Sequence, residues 1–455
     1  MTTATTPRLV KCVVWDIDNT LLDGVYLESG DAPPAANPAM AGALADLASR
    51  GILHAIASKN PPQAAAYAAA VTGAAFAAVE CGWGAKSGAL ARIAAELAIG
   101  TDALAFVDDD PYERAEVAAE LPEVLVLAPD EVAEAAGWPE FGAAAVTDEA
   151  RRRGEMYAAR RHRRAAEQAF GGSREEFLAS AGTQVTIAAA ALADAPRLHE
   201  LAARTKQFNS AGRAVAEAEL TALITAPDTE VATVALRDAF GDDGIVGACV
   251  TSHDRDGTWT VRLLMMSCRA MGRGVIGALL AWVTRSAARA GAREVAVRCV
   301  LTERNVPLRL ALAGAGFRAG PLDGLVDGAV FRRGTGAPLP ELPPWVRAPG
   351  EPEPAGSSAA APTGAEPDPA GPAGPVIGEL RRILARITGR EELAGLPAGA
   401  PLFGDEVALD SLTGTLLLRE VQHRFGIDVA GTDLNLDALA TLGTLAAFIA
   451  GQGGS

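Results

Sequence analysis

One segment divides everything else in this chain. From Pro343 to Pro375 it reads PPWVRAPGEPEPAGSSAAAPTGAEPDPAGPAGP, with almost no bulky apolar side chain. Such a composition cannot offset its ordering entropy by burial, so it predicts a disordered, partly extended linker over 343–375. Beyond it, residues 376–453 make a small separate domain that is free to swing. At ~150 residues per domain, a chain of 455 residues leaves room for two more folding units upstream.

Composition excludes several classes. Asp and Glu number 56 against 40 Lys and Arg, a net charge of −16. A nucleic-acid binder needs the opposite balance to displace counterions from phosphates. At 49% hydrophobic residues the chain can bury substantial cores. Much of that fraction is alanine, and no stretch carries the ~20 bulky apolar residues of a membrane span. The longest uncharged run, Asn60 to Val79, contains Pro61, Pro62 and Gln63. Met1–Pro7 is polar and charge-free, and the next apolar stretch soon meets Asp16, so no signal peptide is expected. Five cysteines without a CxxC pair fit a reducing cytosol better than a disulfide framework. The expectation is a soluble, acidic, cytoplasmic protein with neither nucleic acid nor membrane as partner.

Residues 8–145 alternate strand and helix signals. Leu9–Trp15, Ile52–Ala57 and Ala103–Val107 read as strands, and Ala39–Ser49 and Gly88–Ala98 as helices. That alternation predicts a Rossmann-like parallel sheet with helices on both faces. Residues 146–182 are helical and basic, with RRRGEMYAARRHRR at 151–164. They predict a connector whose arginines form a solvated face, as charge runs usually do, or else a dock for an acidic carrier. Over 183–342 the pattern changes. Val185–Ala191, Glu230–Phe240, Gly244–Ser252 and Thr258–Met266 are consecutive strands. A helix over Gly274–Ala290, a strand over Glu294–Val300 and a further helix complete an α+β unit with a mostly antiparallel sheet.

The first strand runs into Asp16-Ile17-Asp18-Asn19-Thr20, and open α/β sheets bind ligands at the carboxyl ends of their strands. In a D-x-D-x-T loop the first aspartate can attack phosphorus while the second protonates the leaving oxygen. Carboxylates this close call for a divalent cation, Mg2+. Asp108 and Asp109, at the end of another strand, complete a metal set of Asp16, Asp18, Asp108 and Asp109. Ser58 and Lys86 supply the hydrogen bond and the positive charge that phosphate oxygens need. Acidic strand-end loops are often only solvated caps; this one is set apart by four elements in the right order, each at a strand end or helix start.

That set resembles the haloacid dehalogenase superfamily of aspartyl-phosphate hydrolases over roughly residues 8–135. The strings VKCVVWDIDNTLLDGV, ILHAIASKN, WGAKSGALARIAAEL and FVDDDPYERAEVAAELPEV resemble its FkbH-type branch. So do Arg204-Thr205-Lys206-Gln207-Phe208-Asn209 and Ser267-Cys268-Arg269-Ala270-Met271-Gly272-Arg273-Gly274, which extends the match to about 8–335. The resemblance implies a phosphatase-like domain followed by an acyltransferase-like one. Members of that branch load a three-carbon unit from 1,3-bisphosphoglycerate onto an acyl carrier protein for polyketide assembly. It implies nucleophile Asp16, acid/base Asp18, phosphate ligands Ser58 and Lys86, and metal ligands Asp108 and Asp109.

In the second unit, Arg269-x-x-Gly272-x-Gly274 follows a strand and opens a helix, and it resembles the pyrophosphate loop of GCN5-type (GNAT) acetyltransferases. Glycines there let backbone amides approach an anion at the positive end of a helix. Thr302-Glu303-Arg304-Asn305 and Gly314-Ala315-Gly316-Phe317 resemble the end of the same fold. Whether coenzyme A binds stays open. Cys268, flanked by Arg269 and Arg273, has two readings from its residues alone. One is a thiolate nucleophile for acyl transfer; the other is a buried cysteine acting as a small hydrophobe. The FkbH resemblance selects the first, a glyceryl thioester on Cys268 with Arg269 and Arg273 gathering the anionic substrate. Cys12 and Cys299 lie in apolar strands, and Cys81 near Lys86 is the second candidate thiol. His199 and His253 belong to no motif, so no base for Cys268 is identified.

After the linker, VIGELRRILARIT at 376–388 places Val376, Ile377, Leu380, Ile383, Leu384 and Ile387 on one helical face. Leu409-Asp410-Ser411-Leu412 then opens a second helix, and a last one follows near Leu442–Ile449. Asp-Ser-Leu alone is mostly an N-cap. In this arrangement the small helical bundle resembles an acyl carrier protein. That implies 4′-phosphopantetheine on Ser411, a phosphopantetheinyl transferase to install it, and carrier loading in cis or in trans.

Together these readings predict a multidomain α/β enzyme, with domains at 8–145, 146–182, 183–342, 343–375 and 376–453. Its expected activity is to load a glyceryl unit from 1,3-bisphosphoglycerate through Cys268, with Mg2+-dependent dephosphorylation at Asp16. The product would pass to downstream polyketide synthase enzymes. The alternatives are a small-molecule phosphatase fused to a coenzyme A-dependent acetyltransferase, the same chemistry ending in a lactyl unit, and a non-catalytic carrier scaffold. The intact acidic set argues against the last.

Overall fold

The structure, a computed structural model, describes residues 9–29, 33–142, 147–254, 256–321, 328–351, 374–403, 407, 409, 411–433 and 436–452. The chain divides into two units, residues 1–181 with 238–244, and residues 182–237 with 245–455.

In the first unit, β1 (Cys12–Trp15), α1 (Pro38–Ser49), β2 (Leu53–Ser58), α2 (Pro62–Thr72) and β3 (Ala78–Cys81) run one way from the centre. Then α3 (Lys86–Leu97), β4 (Leu104–Val107), α4 (Pro111–Glu120), β5 (Leu125–Leu127) and α5 (Val132–Ala135) run the other way. The sheet order is β3-β2-β1-β4-β5, and every pairing is parallel. β1 to β4 is therefore the point where the strand order reverses, and the crevice at their carboxyl ends is where such sheets bind ligands. The central strands β1, β2 and β4 are buried on both faces because two apolar layers cover them. Val13, Trp15 and Ile56 pack toward Leu44 and Ala64, while Val14, Ala55 and Phe106 pack toward Leu90 and Ile93. β3 and β5 were not foreseen from the sequence.

The expected connector 146–182 is part of this unit, as α6 (Asp148–Arg151), α7 (Arg153–Ala169) and α8 (Arg174–Ser180). Tyr157 of α7 is buried in the same apolar layer as Val14 and Phe106. Arg153 donates to the carbonyl of Gly51 over 3.0 Å, and Arg160 to that of Leu97 over 3.2 Å. Arg163 grips Asp238 at 2.5 and 3.0 Å. A basic run read as a solvated face or carrier dock thus turns three of its arginines to internal work.

The second unit contains β6 (Gln184–Ala189), α9 (Ala195–Arg204), α10 (Glu217–Thr225), β7 (Thr229–Asp238), β8 (Gly241–His253), β9 (Thr258–Met266), α11 (Val275–Arg289), β10 (Glu294–Val300), α12 (Val306–Gly314), β11 (Arg318–Pro321), β12 (Gly328–Gly334) and β13 (Val346–Arg347). They form a sheet in the order β11-β12-β10-β9-β8-β7-β6-β13. It is mostly antiparallel, with a parallel β9·β10 pair bridged by α11. The linker expected from Pro343 starts too early. Val346 and Arg347 pair in parallel with Val185 and Thr186. Trp282 Nε1 donates to the carbonyl of Pro349 over 3.2 Å, and Glu351 takes Arg285 at 2.9 Å and also pairs with Arg289. Pro-rich sequence lies at a sheet edge here because only one side of β13 needs ladder bonds. Residues 352–373, the rest of the expected linker, lie outside the described residues.

The carrier region is helical, as expected. α13 (Gly374–Thr388), α14 (Ser411–Phe425), α15 (Val429–Thr432) and α16 (Leu442–Gln452) enclose Leu380, Leu384, Leu417, Val421, Leu442 and Leu445. No described helix is long and apolar enough to cross a membrane.

Candidate active site

Three strand ends assemble the first site. β1 delivers Asp16, whose amide is tied to the carbonyl of Val107 on β4 at 2.9 Å. β2 ends at Ser58, β4 is followed by Asp108 and Asp109, and Lys86 starts α3. One ligand oxygen each from Asp16, Asp108 and Asp109 lies within 4.8 Å of the others. Buried Lys86 Nζ spends all three of its protons on this corner. It donates to Asp16 Oδ1 at 2.5 Å, Asp108 Oδ2 at 2.9 Å and the Ala57 carbonyl at 2.7 Å.

The electrostatics follow from that crowding. Burial, with Asp108 adding repulsion, pushes Asp16 up to about 6, against the pull of Lys86 and Ser58. Burial likewise raises Asp108, against Lys86, and raises Asp109, with Asp16 adding to the effect. Burial would lower Lys86, yet Asp16 and Asp108 outweigh it and hold the ammonium above its ordinary range. Three carboxylates with one shared ammonium leave a charge deficit. A set of hard carboxylate oxygens facing that deficit fits a cation such as Mg2+.

Asp18, expected in the same metal set, is not among those carboxylates. Its Oδ1 accepts the Tyr26 amide at 2.8 Å, and its Oδ2 accepts Asn60 Nδ2 at 2.9 Å. Its two oxygens are committed to those donors, in a loop where Asp18 and Asn19 leave helical geometry, with Asn19 at φ 50°. Asp18 is thus held by two donors and stands outside the carboxylate trio.

Four supporting residues were missed. Asn60, 2% exposed, bonds Ser58 Oγ at 3.1 Å as well as Asp18. Thr20 Oγ1 accepts the Asp109 amide at 3.2 Å. Arg114 holds the carbonyls of Asp108 and Asp109 at 2.6 and 2.7 Å, and Asn19 hydrogen-bonds Asp109. Thr20 and Asn19 stood inside the D-x-D-x-T loop and Asn60 two places after Ser58. Arg114 gave no signal, because its helical spacing looks like any surface arginine.

The second site lies where β9 ends. Cys268, half-buried, begins a single tight turn, Cys268–Ala270. Ser267 Oγ accepts the Arg269 amide at 3.4 Å, and Arg269 and Arg273 are buried. Gly272 and Gly274 adopt φ of 77° and 70°, a left-handed backbone that favours glycine, so both glycines of the motif are required. The Arg204–Asn209 motif splints this strand. Phe208 is fully buried, its carbonyl takes the Met266 amide at 2.9 Å, and Asn209 bonds three carbonyls. Asn305 is likewise structural, donating to the Val300 carbonyl at 2.7 Å.

The remaining thiols are poor nucleophiles. Cys12 is sealed in β1, as expected, and burial raises it. Burial pushes Cys249 and Cys299 up to about 12. Cys81, the second candidate, is raised by burial with Glu80 and Asp16 adding, which suppresses its thiolate. His199 bonds the Val215 carbonyl and His253 stacks on Trp259 with ring centres 4.1 Å apart.

The third site belongs to the carrier region. Ser411 is the first residue of α14; Asp410, its expected partner in the motif, lies outside the described residues.

Comparison with known proteins adds one family. Residues 378–449 match the phosphopantetheine attachment site family, which implies 4′-phosphopantetheine, a transferase that attaches it, and acyl-carrier interactions. No curated protein matches the chain. Among solved structures, the chain is similar to the N-terminal part of protein BF1531 from Bacteroides fragilis, which contains a phosphatase domain complexed with Mg. The identity is 27% and the TM-score 0.26, covering 28% of this chain and 39% of that one. It is also similar to a GNAT-family acetyltransferase from Desulfovibrio desulfuricans, at 18% identity and TM-score 0.28, covering 33% of this chain and 99% of that one. A third is the PaiA N-acetyltransferase from Thermoplasma acidophilum in complex with coenzyme A, at 13% identity and TM-score 0.26, covering 33% and 99%.

Proposed function

We propose that this chain loads a glyceryl unit from 1,3-bisphosphoglycerate onto the phosphopantetheine arm of an acyl carrier, its own or another, for polyketide assembly. The observation that carries the reading is the state of the thiols: of the three cysteines in the second unit only Cys268 is partly exposed, while Cys249 and Cys299 are buried. The FkbH-type motifs around Asp16, Ser58, Lys86 and Cys268 support the substrate class.

The Cys268 sulfur attacks the acyl carbonyl, the carbon–oxygen bond to phosphate breaks, and inorganic phosphate leaves with the electron pair. Arg269 and Arg273 gather the anionic substrate. Asp16 then attacks phosphorus of the remaining phosphate ester, and Asp18 gives its proton to the departing glyceryl oxygen. Asp18 next takes a proton from water, which hydrolyses the aspartyl phosphate. Asp16, Asp108 and Asp109 would hold Mg2+, which when bound would supply positive charge to the transferring phosphoryl group. Finally the pantetheine thiol on Ser411 takes the acyl group by thioester exchange, nearly isoenergetic and so governed by positioning.

A second reading is favoured by the left-handed glycines Gly272 and Gly274, which would equally let amides approach the pyrophosphate of coenzyme A. It makes the chain a phosphatase joined to an acetyltransferase. Intact-protein mass spectrometry of the pantetheinylated chain with 1,3-bisphosphoglycerate and Mg2+ separates the two. A glyceryl adduct on the arm, lost in Cys268→Ala, supports loading; acetylation from acetyl coenzyme A that survives Cys268→Ala supports the rival. A lactyl product would appear as a different mass on the same arm.

A further inference from the structure

Helix α12 has two apolar faces, and only one belongs to its own domain. Leu308 and Leu312 enter the sheet-and-helix core of the acyltransferase-like region. Leu310, 1% exposed, enters the carrier's apolar cluster instead, with Val306 against the same cluster. Positions 306, 309, 310 and 314 share the spacing of one helical stripe, and each meets the carrier. Arg309 is buried, with Nη1 donating to the Ala430 carbonyl and Nη2 to the Asp433 carbonyl, both at 2.9 Å. These carbonyls lie in and just after the short helix α15, where backbone acceptors lack helical partners and a cation is favoured.

Two glycines allow the approach. A Cβ on Gly414 of α14 would stand 3.1 Å from Leu310, and one on Gly314 of α12 would stand 3.2 Å from the Phe403 ring. Glycine inside a helix costs about 1 kcal/mol relative to alanine; at Gly414, inside α14, that cost accompanies the close contact with Leu310. At the rim, Arg318 meets Asp437 at 2.9 Å.

We infer that the outward stripe of α12 is the docking face by which the acyltransferase-like domain recognises the carrier domain of its own chain. Gly414 follows Ser411 by three residues, the spacing of neighbours on one side of a helix. The dock therefore lies one turn from the point of pantetheine attachment, and the carrier is presented in cis. Arg309 and Leu310 set the specificity: a foreign carrier needs a small residue where Gly414 stands and free carbonyls where Ala430 and Asp433 stand. That the dock serves loading rests on the reading above; that it exists does not.

Hydrogen–deuterium exchange of the full chain, without substrate, tests the dock itself. Leu310→Asp should raise exchange of α12, α15 and the first turn of α14 by about tenfold, leaving α11 and β9 unchanged. Separately, the full chain carrying Leu310→Cys and Gly414→Cys should, on mild oxidation, give an intramolecular disulfide between those positions by peptide mapping. Unchanged exchange in Leu310→Asp overturns the inference. So does the absence of the disulfide, or a disulfide linking two chains. Should Leu310→Asp also expose α11, the mark of a folding defect, the disulfide alone decides. Because neither measurement involves acyl transfer, failure of the dock and failure of glyceryl loading are told apart.

Discussion

Asn60 holds Asp18: its Nδ2 donates to Asp18 Oδ2 over 2.9 Å and to Ser58 Oγ over 3.1 Å. One buried amide thus fixes together the carboxyl proposed as acid/base and the hydroxyl proposed to bind phosphate. A hydrogen bond to a charged group contributes about 1.5–3 kcal/mol. Asn60→Leu should therefore lower kcat for phosphate-ester hydrolysis by about 10- to 100-fold. KM should change little. Loss confined to KM would assign Asn60 to substrate binding instead.

The Lys86 corner predicts how the protein answers to metal. Removing one partner of a buried ion pair costs about 3–5 kcal/mol. For Lys86→Met, thermal unfolding of the first unit should therefore shift down by about 10 °C. Mg2+ should recover part of that loss, because Asp16, Asp108 and Asp109 are then left facing one another without a cation. In the wild-type chain, Mg2+ should raise the same transition and a chelator reverse it, whereas Asp108→Asn should abolish the response. Differential scanning calorimetry with and without Mg2+ reads all three.

His54 gives the first unit an acid-sensitive brace. Trp15 Nε1 donates to His54 Nδ1 at 3.1 Å, so Nε2 carries the ring proton and donates to the Leu44 carbonyl at 3.0 Å. Burial lowers the imidazole to about 4. The folded pKa lies below the unfolded value of ~6.5, so the stabilisation is complete above pH ~6.5 and is lost as the pH falls toward 4. The loss should be on the order of 3 kcal/mol, read as a declining urea midpoint between those limits. His54→Gln should flatten that decline.

Much of this was legible in the sequence, because chemistry needs fixed residue types at fixed places. The D-x-D-x-T loop, Ser58 and Asp108 read as strand ends and Lys86 as lying by a helix start, and the glycines at 272 and 274 marked a loop that opens a helix. What escaped depends on distant partners. Ala78–Cys81 and Leu125–Leu127 are too short for their own periodicity and are strands only because β2 and β4 flank them. Val346–Arg347 hides in a proline-rich tract and is paired by residues far earlier in the chain. Arg153, Arg160 and Arg163 looked like solvated charge until their carbonyl and aspartate partners came into place. The second face of α12 looks like an ordinary buried helix, and only packing reveals that Leu310 serves a different core.

The proposed loading chemistry turns on one sulfur atom, and the most direct test denies its cargo an exit. If Ser411 carries the arm, as proposed, Ser411→Ala protein is not pantetheinylated and acyl groups stop at their first resting place. After incubation with 1,3-bisphosphoglycerate and Mg2+, peptide mapping by mass spectrometry should find a glyceryl or phosphoglyceryl thioester on the peptide bearing Cys268. It should be released by hydroxylamine and keep its phosphate in the Asp16→Asn background. An unmodified Cys268, with acyl groups reaching the arm of otherwise identical Ser411-containing protein, would contradict the central claim.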